Sequence, residues 1–304
     1  MAVVLVLLAC LGNALALTLQ RKAAQDSARQ RGRSAGSFRD MVRRPPWLFG
    51  ILIFALAIIC QISALRLGSV SLVQPVLVME LPFTLLVGWW ILGGALRPYE
   101  WAAVATMSVG LVVMLASLRP HGGDALAAGN VRWILGVLVT SAVLAITVGI
   151  ATRSRAAGKA AFFGIAAGIG SGFVAVIFKA MTDALAIGGL WMVLTTWQTY
   201  LLIPVAPIAF WTLQSGLRAG RLLASQPGLT LGNPLLAFLW GTVLLGEQVA
   251  GGAWLWGGFL GAVLLTVGVF LLARSPVLAA QEGSPRDRPT TKAASGGAER
   301  RRPQ

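Results

Sequence analysis

Long apolar stretches divided by short polar segments make up most of the chain. They cover approximately 2–20, 47–65, 69–93, 101–118, 132–151, 160–181, 190–211, 223–245 and 252–273. Each matches the roughly 17–25 residues an α-helix needs to cross a hydrocarbon core of about 30 Å. Backbone groups left unpaired in lipid are too costly, so each run is expected to be helical. The pattern therefore predicts an all-α polytopic membrane protein with about nine transmembrane helices.

The first run contains Ala14-Leu15-Ala16, which resembles a signal-peptide cleavage site. No basic residue precedes Leu19, however, and Arg21-Lys22 follows it. A secretory signal carries its positive charge ahead of the apolar stretch, so this run is expected to stay as a helix with position 1 outside the cell.

Nine crossings from that start assign 21–46, Arg97, Arg153/Arg155/Lys159, Arg218/Arg221 and the tail to the cytoplasm. Those segments hold 21 Lys and Arg, whereas the outer connections hold only Arg66, Arg119 and Arg132. Loop Lys and Arg set topology, so the bias supports a multi-pass plasma-membrane protein with its C-terminus in the cytoplasm. The polar, basic tail 274–304 is expected to be disordered.

Composition agrees: 57% of residues are hydrophobic, 12% are charged, and mean hydropathy is +0.77. The formal charge of +15 would suggest nucleic acid in a soluble protein. Here 15 of the 25 basic residues lie in Arg21–Arg44 and Arg274–Arg302, flanking the spans, so they read as anchors near anionic headgroups. Cys10 and Cys60 show no metal or disulfide spacing, and His121 is the only histidine. No Walker loop or dinucleotide fingerprint is present. The chain is expected to be no enzyme and to carry no cofactor or metal. Its expected partners are the bilayer and a small-molecule substrate or cation, not nucleic acid; a homodimer is a further option.

An internal repeat bears on function. Leu65-Arg66-x-Gly68, Gln74-Pro75-x-Leu77 and Pro82 recur without a gap, 152 residues later, as Leu217-Arg218-x-Gly220, Gln226-Pro227-x-Leu229 and Pro234. Five crossings separate the copies, and an odd number turns the second upside down. The reading is two inverted repeats (4+5): 1–118 with the basic loop 21–46, then 132–273. Inverted-repeat transporters hold the substrate near the midplane between the halves and alternate access by rocking one against the other.

At these residues the chain resembles the drug/metabolite transporter superfamily, with EamA-type endings in Leu245-Gly246-Glu247 and the Gly-rich stretch Gly257–Gly268. It is similar to the nine-helix NIPA-like branch through Asn13 to Gln20-Arg21-Lys22, Trp47, Val73-Gln74-Pro75 and Phe178-Lys179-Ala180. The resemblance covers about 1–275 and implies solute transport. That branch ends its third helix with an acidic residue before a basic turn; here the stretch is Gly93-Gly94-Ala95-Leu96-Arg97, a departure that bears against magnesium transport.

Candidate site residues follow. Glu80 stands mid-span between Pro75 and Pro82, where it either binds a cation or coupling proton or locks helices together. Lys179 and Asp183 share a helix face four residues apart, as a gate or anion contact or as a lysine snorkelling to the outer interface. Gln74 and Gln226 sit beside Pro75 and Pro227 at equivalent repeat positions, suited to substrate contact or to capping freed backbone. Asn13, Gln20, Gln61, Gln198 and Asn233 are weaker candidates. Gly164, Gly168 and Gly172 form a face for close helix approach. Trp47, Trp101, Trp133 and Trp191 at span starts suggest an interfacial belt. The leading expectation is a secondary transporter of a small metabolite or drug-like solute; the alternatives are a divalent-cation (magnesium) permease and a non-transporting membrane scaffold.

Overall fold

A computed structural model describes residues 1–30, 45–93, 96–219 and 222–273. The tail 274–304 and most of the 21–46 loop thus lie outside the described residues. The chain forms α1 (Ala2–Gln30), α2 (Pro45–Leu67), α3 (Val70–Leu77), α4 (Glu80–Leu92), α5 (Pro98–Leu118) and α6 (Asn130–Arg153). It continues with α7 (Ala156–Thr195), α8 (Trp197–Tyr200), α9 (Leu202–Ala219), α10 (Leu222–Val243) and α11 (Trp254–Ala273). Among the described residues no strand is present; the one β-bridge joins His121 to Gln248.

Seven segments are long and apolar enough to cross a membrane: Ala2–Gln20, Pro45–Leu67, Val70–Ile91, Pro98–Leu118, Asn130–Arg153, Gly158–Thr195 and Trp254–Ala273. Large apolar side chains on α2, α5, α6, α9 and α11 point outward, among them Leu52, Val112, Ile146, Ile203 and Phe259. Water cannot cover so continuous an apolar surface, so the protein belongs in lipid.

Three expectations need correction. The run 190–211 is not one helix: α7 continues to Thr195 through a kink at Gly188 and Gly189, the latter at φ 63° where only glycine sits without strain, and a new helix starts at Leu202. The third span is broken at Val78–Met79. Pro82 has no N–H for the Val78 carbonyl, which takes the Leu81 N–H instead at 3.2 Å, so the chain tightens for one turn between α3 and α4. Trp133 is no interfacial residue either. It is 0% exposed, donates its indole N–H to the Ala125 carbonyl at 3.0 Å and stacks edge-on against Trp197.

Small residues set the packing. In the antiparallel pair α1 and α2, a Cβ added to Gly12 would stand 2.9 Å from the Ala57 methyl. The antiparallel pair α7 and α9 makes the same contact, with Gly170 at 2.8 Å from the Ala209 methyl. As their spacing predicts, Gly164, Gly168 and Gly172 receive α10, which runs parallel at Ser225, Gly228 and Asn233. α5 and α11 cross antiparallel at Gly110 and Gly261, whose added Cβ atoms would lie 2.6 Å from the Leu265 nitrogen and 2.5 Å from the Met114 nitrogen. α3 and α10 also run antiparallel, with Ser71 against Gly241 and its hydroxyl donating to the Phe238 carbonyl at 3.4 Å. Position 1, 66–70, 119–130, 183–197 and 244–253 consequently gather at one end of the bundle, called the position-1 end below.

Candidate functional site

Two polar groupings interrupt the apolar interior. The first lies between α1 and the α3–α4 break. Asn13 donates its amide to a Glu80 carboxylate oxygen at 3.2 Å, and the Thr84 hydroxyl donates to the Glu80 carbonyl at 2.7 Å. The Cys10 thiol faces the Val76 carbonyl at 3.5 Å, beside the break. Asn13 Oδ1 is buried without a hydrogen-bond partner, as is Asn233 Oδ1 on α10. A carboxylate so deep in a span costs about 2.5–3.5 kcal/mol to insert, so a single amide partner leaves it poorly compensated.

The second grouping closes the position-1 end. Lys179, 5% exposed, pairs with Asp183 at 2.9 Å and donates to the Leu65 carbonyl at 2.9 Å. Asp183 in turn accepts the Ala125 N–H at 3.2 Å. The reading of Lys179 as a snorkelling residue is therefore wrong: two acceptors hold the ammonium inside. Beside it stands Glu247, 4% exposed, which accepts the N–H groups of Val70 and, at 2.8 Å, Ser71. These are amides in the first turn of α3, which have no partner within their own helix. Gly246, at φ 70°, turns the chain so that the carboxylate reaches back, and a Cβ on either Gly123 or Gly241 would collide with its side chain. Burial pushes the Glu247 carboxyl above its ordinary range, against the opposing pull of the Ser71 and Val70 donors and the Lys179 charge.

An apolar cavity of about 230 Å³ lies between α3 and α10 on one side and the α5–α11 pair on the other, lined by Pro75, Val78, Leu231, Pro234 and Phe238 among others and open on its outer side past the exposed Leu235, Leu255 and Phe259. Its wall is shared by the broken α3 and the proline-bearing α10. Neither Asn13 nor Glu80 lines it.

The expected site residues thus divide among several places. Asn13 and Glu80 meet, Lys179 and Asp183 meet, and Pro75 lines the cavity. Gln74 is buried on α3 and Pro227 within α10, while the side chain of Gln226 lies outside the described residues. Glu247 was missed as a site residue. The available signal was a lone acid directly after Gly246 in a loop with no basic neighbour, but a loop carboxylate ordinarily faces water. Glu100 is also fully buried, yet its carboxylate accepts the Arg97 N–H at 2.7 Å as a helix cap. Among the described residues no three of His, Cys, Asp and Glu come together.

No family model and no solved structure matches the chain. It is similar to the uncharacterized protein Cgl0250/cg0304 of Corynebacterium glutamicum, at 34% identity over 244 residues, which cover 80% of this chain and 83% of the relative. The two belong to one family. The match spans most of both chains, so it reaches well beyond any single helix.

Proposed function

We propose that this protein is a secondary transporter of the drug/metabolite transporter type, built from nine membrane crossings in two inverted repeats around the apolar cavity. The observation that carries the reading is the duplicated helix contact. Gly12 meets Ala57 as Gly170 meets Ala209, and the equivalent alanines are 152 residues apart, the spacing of the sequence repeat. The glycines are 158 apart, so the first copy has six more residues between α1 and α2. α1, α2, α3–α4 and α5 then correspond to α7, α9, α10 and α11, with α6 as the connector. The antiparallel crossings of α3 with α10 and of α5 with α11 are what a two-fold axis in the membrane plane requires.

α9 and α10 complete the nine crossings. At 18 and 22 residues they reach about 27 and 33 Å, nearly or fully the width of the core. Their lower apolarity comes from Pro204, Pro207 and Gln214 on α9, and from Gln226, Pro227, Asn233 and Pro234 on α10. α10 packs against α3 and α7, whereas α9 packs on α7 through Ala209 and Gly216 and turns Ile203 and Phe210 outward. The charge bias of 21 to 3 favours the plasma membrane with the position-1 end outside.

The cavity wall favours a small solute with an apolar body, and Glu80 is the candidate for a coupling proton or cation. A divalent-cation permease is the second reading, favoured by the carboxylate of Glu80 beside the unpartnered oxygen of Asn13. Uptake into proteoliposomes tests both. Accumulation of lipophilic metabolites or biocides, driven by a proton or sodium gradient, supports the first; magnesium-dependent uptake or current supports the second. The absence of any flux would leave a membrane scaffold.

A further inference from the structure

Every connection at the position-1 end is tied to another. His121 and Gln248 exchange backbone hydrogen bonds at 3.1 and 2.9 Å, Asp124 donates its N–H to the Leu245 carbonyl at 3.1 Å, and Ala250 donates to Leu118 at 2.8 Å. Leu118 and Leu255, which flank these loops, also line the apolar cavity. The loops therefore close the position-1 end of the cavity, whose outer side stays open past Leu235 and Phe259, and Glu247 is where they grip α3. It reaches α3 at Val70 and Ser71, within a turn or so of cavity-lining Pro75. Gly123 and Gly241 leave the space that this grip needs.

We infer that Glu247, seated on the first amides of α3 and backed by the Lys179–Asp183 pair, is a latch that shuts the solute pathway at the position-1 end. Solute exchange at that end requires its release. The inference rests on the transporter reading above.

A polar latch suits a reversible closure. When it opens, the carboxylate, the two amides and the lysine exchange protein partners for water, so the net free-energy change is small compared with the strength of each bond. Lys179 and Asp183 extend the same closure to α2 through Leu65 and to the 119–129 loop through Ala125. The latch is also one-sided. Continued without a gap, the repeat sets Ala95 opposite Glu247; position 95 lies outside the described residues, but its side chain offers no carboxylate. The position-1 end is thus the end with an ionic closure at this position.

Cysteine accessibility tests the latch without requiring transport. In a full-length chain with Cys10 and Cys60 changed to alanine, Val78→Cys puts a thiol in the cavity wall about two turns beyond Ser71, below the latch. An impermeant, charged methanethiosulfonate is applied to the face carrying position 1, in the parent and in Glu247→Ala and Glu247→Gln backgrounds. The labelling rate should rise about tenfold or more with Glu247→Ala, which corresponds to about 1.4 kcal/mol in favour of the open form. It should rise by a smaller factor with Glu247→Gln, which keeps the shape and loses the charge. Should Glu247→Ala fail to elute as a single folded species, Glu247→Gln decides alone. Equal rates in the parent and the folded variants would overturn the latch, even in a chain that transports. A parent that moves no solute would remove the transport reading and leave the labelling contrast intact.

Discussion

In the proposed repeat, the two halves use the same helix arrangement for different purposes at their centres. In the first, α1 meets the broken α3–α4 through Cys10, Asn13 and Glu80. In the second, α7 meets an unbroken α10 through Gly164, Gly168 and Gly172. With the repeat spacings of 158 and 152, Cys10 corresponds to Gly168, Asn13 to Ser171 and Glu80 to Gly232. The prolines are common to both halves, since Pro75 and Pro82 correspond to Pro227 and Pro234, so prolines alone do not break a helix here. The neighbour decides. Where glycines bring two backbones into contact, α10 stays one helix; at the α3–α4 turn, the Cys10 thiol faces the Val76 carbonyl and the Asn13 amide meets Glu80. At its centre the first half therefore carries a buried carboxylate, while the second packs glycines there and keeps Lys179, Asp183 and Glu247 at the position-1 end.

The largest effect should come from forcing bulk into the glycine-packed half. A Cβ on Gly168 would already stand 2.7 Å from the Gly228 carbonyl oxygen, which belongs to backbone and cannot turn aside. Gly168→Leu should cost about 3 kcal/mol or more, the upper end for overpacking, and lower the melting temperature or abolish monodisperse elution. A variant as stable as the parent would mean that the close α7–α10 contact is not what distinguishes the halves.

Next in size is the centre of the first half. Glu80→Gln should leave insertion and elution unchanged yet reduce gradient-driven uptake by about tenfold or more, because the amide keeps the shape but cannot exchange a proton. Parent-like uptake across pH 5.5 to 8.5 would remove the coupling role and shift attention to Pro75, Pro227 and the cavity wall. Asn13→Ala should weaken uptake less. It removes one hydrogen bond to a charged group, about 1.5–3 kcal/mol, while leaving the carboxylate itself in place.

The smallest effect extends the comparison to Glu247, whose repeat counterpart is Ala95. Burial raises its carboxyl pKa above the unfolded value of 4.5, so the folded state binds the proton more tightly than the unfolded chain. That contribution to stability is complete below pH 4.5 and is lost as pH rises through the raised value. Melting temperatures of the parent and of Glu247→Gln, compared between pH 4 and 7, should therefore diverge, with the parent losing ground as pH rises. A difference that grew in the parent's favour would mean that the Val70 and Ser71 donors outweigh burial.

Much of the fold was legible because lipid imposes a simple rule: a helix that faces it must be apolar along its length. Seven segments announced themselves that way. α9 and α10 fall below the same criterion because prolines and amides interrupt their apolar residues. The kink at Gly188–Gly189 and the extended Thr196 ahead of the helices that follow do not register in hydropathy.

By itself the sequence determined the membrane environment, the basic flanks, the repeat and the depth of Glu80 in its span, since each depends on order and spacing along one strand of chain. Only the tertiary structure decided the partners. Asn13 and Glu80 are 67 residues apart, Lys179 and Leu65 are 114, and Glu247 and Val70 are 177. Helical periodicity says which residues share a face but not which faces meet, and a carboxylate in a loop reads as solvated until the loop is seen folded over a helix end. The chemistry of this protein lies in those long-range meetings because a buried charge persists only where distant backbone groups converge to satisfy it.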